Sequence, residues 1–183
     1  MKSKEQQHPV KPPSVVKTVR ELIYWEYAKL IAKGARFEGN YRFIMSRFQK
    51  LKHGEIQWSE ITREDRIMVE HGKSACIYCG CTENLSWDHL IPISKGGPNI
   101  ISNQVVACKS CNSSKGNKDI FEWYMGRHEE IPGLVKGKYL KLVYDFHEAM
   151  GTLDSSDINM DGSLDVLDLG AIFHVHFPKT GLT

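Results

Sequence analysis

Four cysteines stand in two pairs, Cys76-Ile77-Tyr78-Cys79 and Cys108-Lys109-Ser110-Cys111, and an adjacent acid and imidazole, Asp88-His89, lie between the pairs. Two Cys-x-x-Cys knuckles can bring four thiolates to the corners of a tetrahedron, the closed arrangement of a structural Zn²⁺. Two disulfides are the alternative, and a reducing compartment argues against them. A four-thiolate site leaves no open coordination position, so this zinc would staple the fold and take no part in chemistry. The 28 residues between Cys79 and Cys108 exceed what a compact zinc ribbon needs, which leaves room for a functional insert. Cys81, the fifth cysteine, reads as a spare, nonligating thiol.

Within the insert, Asp88 and His89 are neighbours, and on a strand neighbouring side chains face opposite ways. One can then hold a metal while the other faces a water. A neutral imidazole can take a proton from that water at cellular pH. An Asp-His pair alone is weak evidence. The frame around it is specific: two knuckles, a Lys95-Gly96-Gly97 turn, Asn103, and Asn112-x-x-Lys115-Gly116 directly behind the second knuckle.

Residues 74 to 120 resemble the HNH nucleases of the ββα-metal (His-Me finger) superfamily, in the subgroup whose hairpin and helix are tied by four cysteines. The resemblance implies a metal-dependent endonuclease that hydrolyses phosphodiester bonds in double-stranded DNA. It makes His89 the general base and Asp88 and Asn112 the ligands of the catalytic Mg²⁺ or Mn²⁺, so the motif reads His-Asn-Asn. It makes Asn103 the residue that orients the base. Lys115, at the start of the following helix, is expected to meet a neighbouring phosphate, helped by the helix N-terminus. The competing reading is an inactive zinc finger that holds nucleic acid without cutting it. Such a module is expected to have lost the acid or the imidazole, and this sequence keeps both.

A second pattern lies near the C-terminus. Asp157, Asn159, Asp161, Ser163, Asp165 and Asp168 fall at the ligand positions of a twelve-residue calcium loop, with Gly162 at its sixth position. It resembles EF-hand and dockerin loops, although Asp168 stands where an EF-hand has Glu. A Ca²⁺ site is the functional reading, a plain structural loop the other, and neither carries catalysis. His174 and His176 alternate with apolar residues and read as bystanders.

The elements that must position these groups are mostly helical. Apolar spacing predicts a helix over Val15 to Lys33, ended by Gly34, and a second from an Asn40 cap to about Lys52. Thr62 with Asp65 suggests a third, stopped by Gly72. Segment 74 to 112 reads as short strands and turns, with β-prone runs at Leu85-Ser86-Trp87 and Leu90-Ile91. Asp119 should cap a helix to about His128, and a longer one should run from about Val135 to Met150. Tyr24, Trp25, Tyr27, Phe37 and Tyr41 read as core more than as base-stacking residues.

The fold class is therefore α+β: a helical N-terminal region, a zinc-stapled ββα finger, and a helical C-terminal extension carrying one EF-hand-like loop. The divisions are a flexible tail at 1–13, the helical region at 14–73, the nuclease domain at 74–128 and the extension at 129–183. The net charge of +2 conceals an asymmetry. Residues 1–75 carry fifteen Lys/Arg against nine Asp/Glu, residues 76–150 balance, and residues 151–183 carry one against five. A basic front suits phosphate contact. The composition, 41% hydrophobic and 25% charged, is that of a globular chain rather than a disordered one. No apolar run is long enough for a membrane span or a secretory signal, so an intracellular, cytoplasmic protein is expected.

Overall fold

The computed structural model describes residues 11–56 and 75–175. The helix expected between Thr62 and Gly72, the first ten residues of the expected tail, and the side chains of His174 and His176 lie outside the described residues. The architecture is α+β, with helices surrounding one two-stranded sheet. Among the described residues, no helix is long and apolar enough to cross a membrane.

Helix α1 spans Val19–Gly34 and starts four residues later than its apolar spacing suggests. The reason is Thr18, whose hydroxyl accepts the Glu21 N–H at 3.3 Å and caps the first turn. Val16 is buried all the same, within a turn closed by its N–H on the Pro13 carbonyl. Helix α2, Tyr41–Lys52, begins at the expected cap, where Asn40 Oδ1 accepts the Phe43 N–H at 3.0 Å. Its buried Ile44, Phe48 and Leu51 pack against α1.

Strands β1 (Leu85–His89) and β2 (Gln104–Cys108) pair antiparallel, with Asp88 opposite Val105 and His89 opposite Gln104. The second β-prone run, Leu90-Ile91, is not the partner strand. Both of its side chains are buried, so it packs instead of pleating, whereas Val105 and Ala107 bury alternate positions of β2. After Ile91 the chain turns through Lys95-Gly96-Gly97. Gly96 has φ +85°, and a Cβ on Gly97 would lie 2.1 Å from the Ile91 carbonyl oxygen, so only glycine fits there.

Helix α3 (Lys109–Lys115) follows β2 directly, and α4 (Ile120–Arg127) follows with Asp119 as its cap, as expected. Helix α5, Gly133–Ala149, packs along α1, and α6 (Asp168–Val175) closes the described chain. One continuous apolar core runs from the helices (Leu22, Phe48, Tyr139, Leu140) into the finger (Cys76, Leu90, Val105, Ala107). Of the N-terminal aromatics, Trp25 and Tyr27 belong to this core, while Phe37 and Tyr41 are exposed. Phe37 stacks on Phe43 with centroids 4.5 Å apart.

Candidate metal centre and active site

The two knuckles converge. The sulfurs of Cys76, Cys79, Cys108 and Cys111 all lie within 4.8 Å of one another, and those of Cys79 and Cys108 are 3.7 Å apart. Thiolates about 2.3 Å from a central zinc sit about 3.8 Å from each other, so the cluster fits Zn²⁺. No cysteine is in a disulfide. Backbone bonds set the first knuckle: Ile77 N–H on the Val106 carbonyl anchors it to β2, and Gly80 N–H returns to the Cys76 carbonyl. Cys108 ends β2 and caps α3, its sulfur accepting the Cys111 N–H at 3.4 Å. That N–H is foremost in lowering the Cys108 thiol to about 7, whereas burial pushes the Cys111 thiol up. Cys81 is exposed and stands outside the cluster.

Asp88 lies on the buried side of β1. The Tyr78 hydroxyl donates to its Oδ2 at 2.6 Å, and Lys115 Nζ lies 3.1 Å from the same oxygen. Burial, then the neighbouring carboxylate, pushes the Tyr78 phenol far above its usual range, so it acts only as a donor. Lys115 departs from its expected place at a phosphate. Its side chain is fully buried beneath the site, and Nζ also donates to the His89 carbonyl at 2.8 Å. A seven-residue helix whose inner face meets Asp88 turns this lysine inward, and burial lowers its pKa.

His89 faces the other way and is partly exposed. Its Nε2 lies 3.1 Å from Asn99 Oδ1. An amide oxygen only accepts, so in this contact Nε2 is the donor. The Gln104 amide nitrogen, opposite on β2, is 3.5 Å from both His89 Nε2 and Asn99 Oδ1. Asn103, expected at the base, does not touch the ring. Its side chain is fully buried, accepting from Ile91 N–H at 2.8 Å and donating to the carbonyls of Ile91 and Pro98. It clamps the loop that follows His89.

Asn112 sits one turn into α3, its Nδ2 3.4 Å from both Ser86 Oγ and the Trp87 carbonyl. Both contacts use the amide nitrogen. Asp88, His89 and Asn112 line one open cavity of about 320 Å³, together with Pro92, Ser94 and Asn117. On the far side of Asn112 a second groove, about 530 Å³, is lined by Asn84, Ser86, Lys109 and Ser113. Sequence reasoning missed Tyr78, Asn99 and Gln104. Tyr78 counts as a spacer inside its knuckle, and nothing in the spacing of the other two marks them.

The acidic C-terminal loop turns its carboxylates onto its own backbone. Asp157 accepts the N–H groups of Asp161 and Gly162, and Asp168 those of Ile158, Asn159 and Asp165. Asn159 and Asp165 cap neighbouring N–H groups, and Ser163 donates to Asp161. Met160 and Gly162 take positive φ to close the turn. Among the described residues the four cysteines form a metal-sized ligand cluster, and this loop does not gather its carboxylates in that way.

Residues 76–119 match the family model described as HNH endonuclease. Over 122 residues, 61% of the chain, the sequence is 30% identical to a Bacillus subtilis (strain 168) protein named "SPbeta prophage-derived putative HNH endonuclease YoqL". The alignment covers 47% of that protein, so the chain spans about half the length of the curated relative it matches. No solved structure matches.

Proposed function

We propose that the chain is a metal-dependent endonuclease hydrolysing phosphodiester bonds in double-stranded DNA, with the chemistry in residues 74–128. The observation that carries this reading is the single cavity shared by Asp88, His89 and Asn112, within a finger matching the HNH endonuclease model. His89 Nδ1 takes the proton of the attacking water, while Asn99 holds Nε2–H and keeps the ring turned. The Asp88 carboxylate and the Asn112 amide oxygen are a hard-oxygen pair fitting Mg²⁺ or Mn²⁺. Such an ion, when bound, supplies positive charge at the scissile phosphate and the departing 3′ oxygen. Asn103 fixes the loop behind the base. The groove bearing Lys109, Ser113 and Asn84 continues past Asn112 and takes the flanking backbone of the cut strand.

Supercoiled plasmid incubated with purified protein and Mg²⁺ should be cut, and His89→Ala should abolish cutting while leaving DNA binding largely intact, because the base acts only in the chemical step. Undiminished cutting by His89→Ala would overturn the assignment. Binding without cutting, under any divalent metal, would favour the inactive nucleic-acid-binding finger.

The finer reading of the loop at 157–168 is a Ca²⁺ site separate from catalysis, supported by its ligand spacing and the positive φ at Met160 and Gly162. Ca²⁺ at about 100 times its dissociation constant would add about 2.7 kcal/mol, enough to raise the melting temperature by several degrees. Asp157→Ala with Asp161→Ala should remove that shift and leave cleavage in Mg²⁺ unchanged. A melting curve indifferent to Ca²⁺ returns the loop to a purely structural role.

A further inference from the structure

Tyr78 belongs to two structures at once. By sequence it is the third residue of the first knuckle, flanked by Cys79, a member of the sulfur cluster. Its ring is buried and meets Trp123 edge-on, with centroids 5.1 Å apart, and its carbonyl accepts the Tyr124 hydroxyl at 3.3 Å. The ring therefore has little freedom. Its hydroxyl reaches across to Asp88 Oδ2 at 2.6 Å, a short bond to a carboxylate. Lys115 Nζ approaches the same oxygen at 3.1 Å and Oδ1 at only 3.4 Å. Oδ2 is thus held by the phenol and the ammonium together, and Oδ1, with Lys115 Nζ at 3.4 Å, is the less constrained oxygen of a residue that lines the cavity.

We infer that Tyr78 is a positioning residue through which the four-cysteine centre sets the affinity of the Asp88–Asn112 site for its divalent metal. The inference rests on the proposed role of Asp88 as a metal ligand. Without the hydroxyl, the Lys115 ammonium, 3.1 and 3.4 Å from the two carboxylate oxygens, is left to set the orientation of the carboxylate and draws it toward itself. The orientation in which the carboxylate lines the cavity is then lost. Partners that hold a metal-ligating group in place typically matter 10- to 100-fold in metal affinity. Because binding linkage is reciprocal, occupancy of the Asp88 site must in turn be felt at the thiolates.

The test is Mn²⁺ binding to the full chain in a His89→Ala background, followed by the electron paramagnetic resonance of free Mn²⁺. Tyr78→Phe keeps the ring and should weaken Mn²⁺ binding about 10- to 100-fold, with one Zn²⁺ per chain and metal-free DNA binding retained. Asp88→Ala should abolish it. An unchanged dissociation constant in Tyr78→Phe, with Asp88→Ala defective, overturns the inference and leaves the nuclease reading standing. Mn²⁺ binding indifferent to Asp88→Ala overturns both. A second measurement needs no variant at position 78: with Co²⁺ in place of zinc, adding Mg²⁺ should shift the thiolate–cobalt absorption bands of the wild-type chain. Bands that do not move as Mg²⁺ saturates its site also overturn it.

Discussion

At His89 the ring nitrogen Nε2 meets Asn99 Oδ1, whereas the side chain of Asn103 closes three hydrogen bonds with the backbone of Ile91 and Pro98. The two asparagines should therefore fail differently. Asn103→Ala leaves buried backbone groups unpaired, at about 1–3 kcal/mol each, and should lower stability by at least about 2 kcal/mol in denaturant titrations. Asn99→Ala removes one partly exposed contact and should barely change stability. It should cost about 10- to 100-fold in kcat with little change in KM, because a misaimed base is slow without binding substrate less well. The reverse pattern, a stable Asn103→Ala and an unstable Asn99→Ala, would contradict this division. The four-cysteine cluster was legible because the types and spacing of its residues are those of a closed metal site, and the gathering of Asp88, His89 and Asn112 at one cavity followed from their places around the two knuckles. Asn99 and Tyr78 were not, since an amide in a loop and a phenol between cysteines acquire meaning only once folding brings them to His89 and Asp88. Lys115 was expected at the start of a helix; it is instead the last residue of α3, and the spacing does not reveal that this helix turns it under the site.

Between the helices, α1 and α5 are joined by a buried charge cluster. Glu26 is 3% exposed and pairs with Lys136 from α5 and with Lys29 from its own helix. Although burial opposes its charge, the two ammonium groups hold the Glu26 carboxyl below its usual range. Removing one member strands the other, so Glu26→Ala should cost about 3–5 kcal/mol by leaving Lys136 buried and unpaired. Glu26→Met with Lys136→Met should recover most of that loss, since apolar groups of similar size need no partner. A loss under about 1 kcal/mol in the single variant would mean that water reaches Lys136. None of this pairing was legible, because α1 and α5 are separated by about a hundred residues and both carry charges of ordinary helical appearance. What was legible at this scale were local signals: the caps Asn40 and Asp119 place their helices correctly. Thr18 was passed over because Val15 and Val16 extend the apolar period past the true start. Strand β2 was missed because Gln104-Val105-Val106-Ala107 alternates weakly, and Leu90-Ile91 is the more apolar run.

For the molecule as a whole, the charge asymmetry in the sequence is partly consumed by folding, since Asp154 of the acidic end pairs with Arg20 of the basic front and the Arg20 N–H bonds the Leu153 carbonyl. The positive charge counted over residues 1–75 is thus partly neutralised within the fold. The apolar core is similarly shared between the helices and the finger. The helices contribute Leu22, Ile23, Phe48, Tyr139, Leu140 and Val143, all at or near zero exposure. The finger contributes Tyr78, Leu90, Ile91, Val105 and Ala107 with Cys76 and Cys108, and its sheet has only two strands of five residues. A lone two-stranded sheet is marginal in water, and a structural zinc supplies on the order of 10 kcal/mol, comparable with the whole stability of a domain. The finger should therefore not outlast its metal, whereas the packing of α1, α2 and α5 does not involve the thiolates. Stripping zinc with a strong chelator should leave most of the helical far-ultraviolet signal, abolish the near-ultraviolet contribution of the buried Trp123, and end cleavage. Adding back Zn²⁺ should restore all three, and Mg²⁺ alone should restore none. Complete loss of helix on chelation would show that finger and helices fold as one unit through the shared core. Full activity after verified zinc removal would show instead that the hairpin holds Asp88 and His89 in place without the staple.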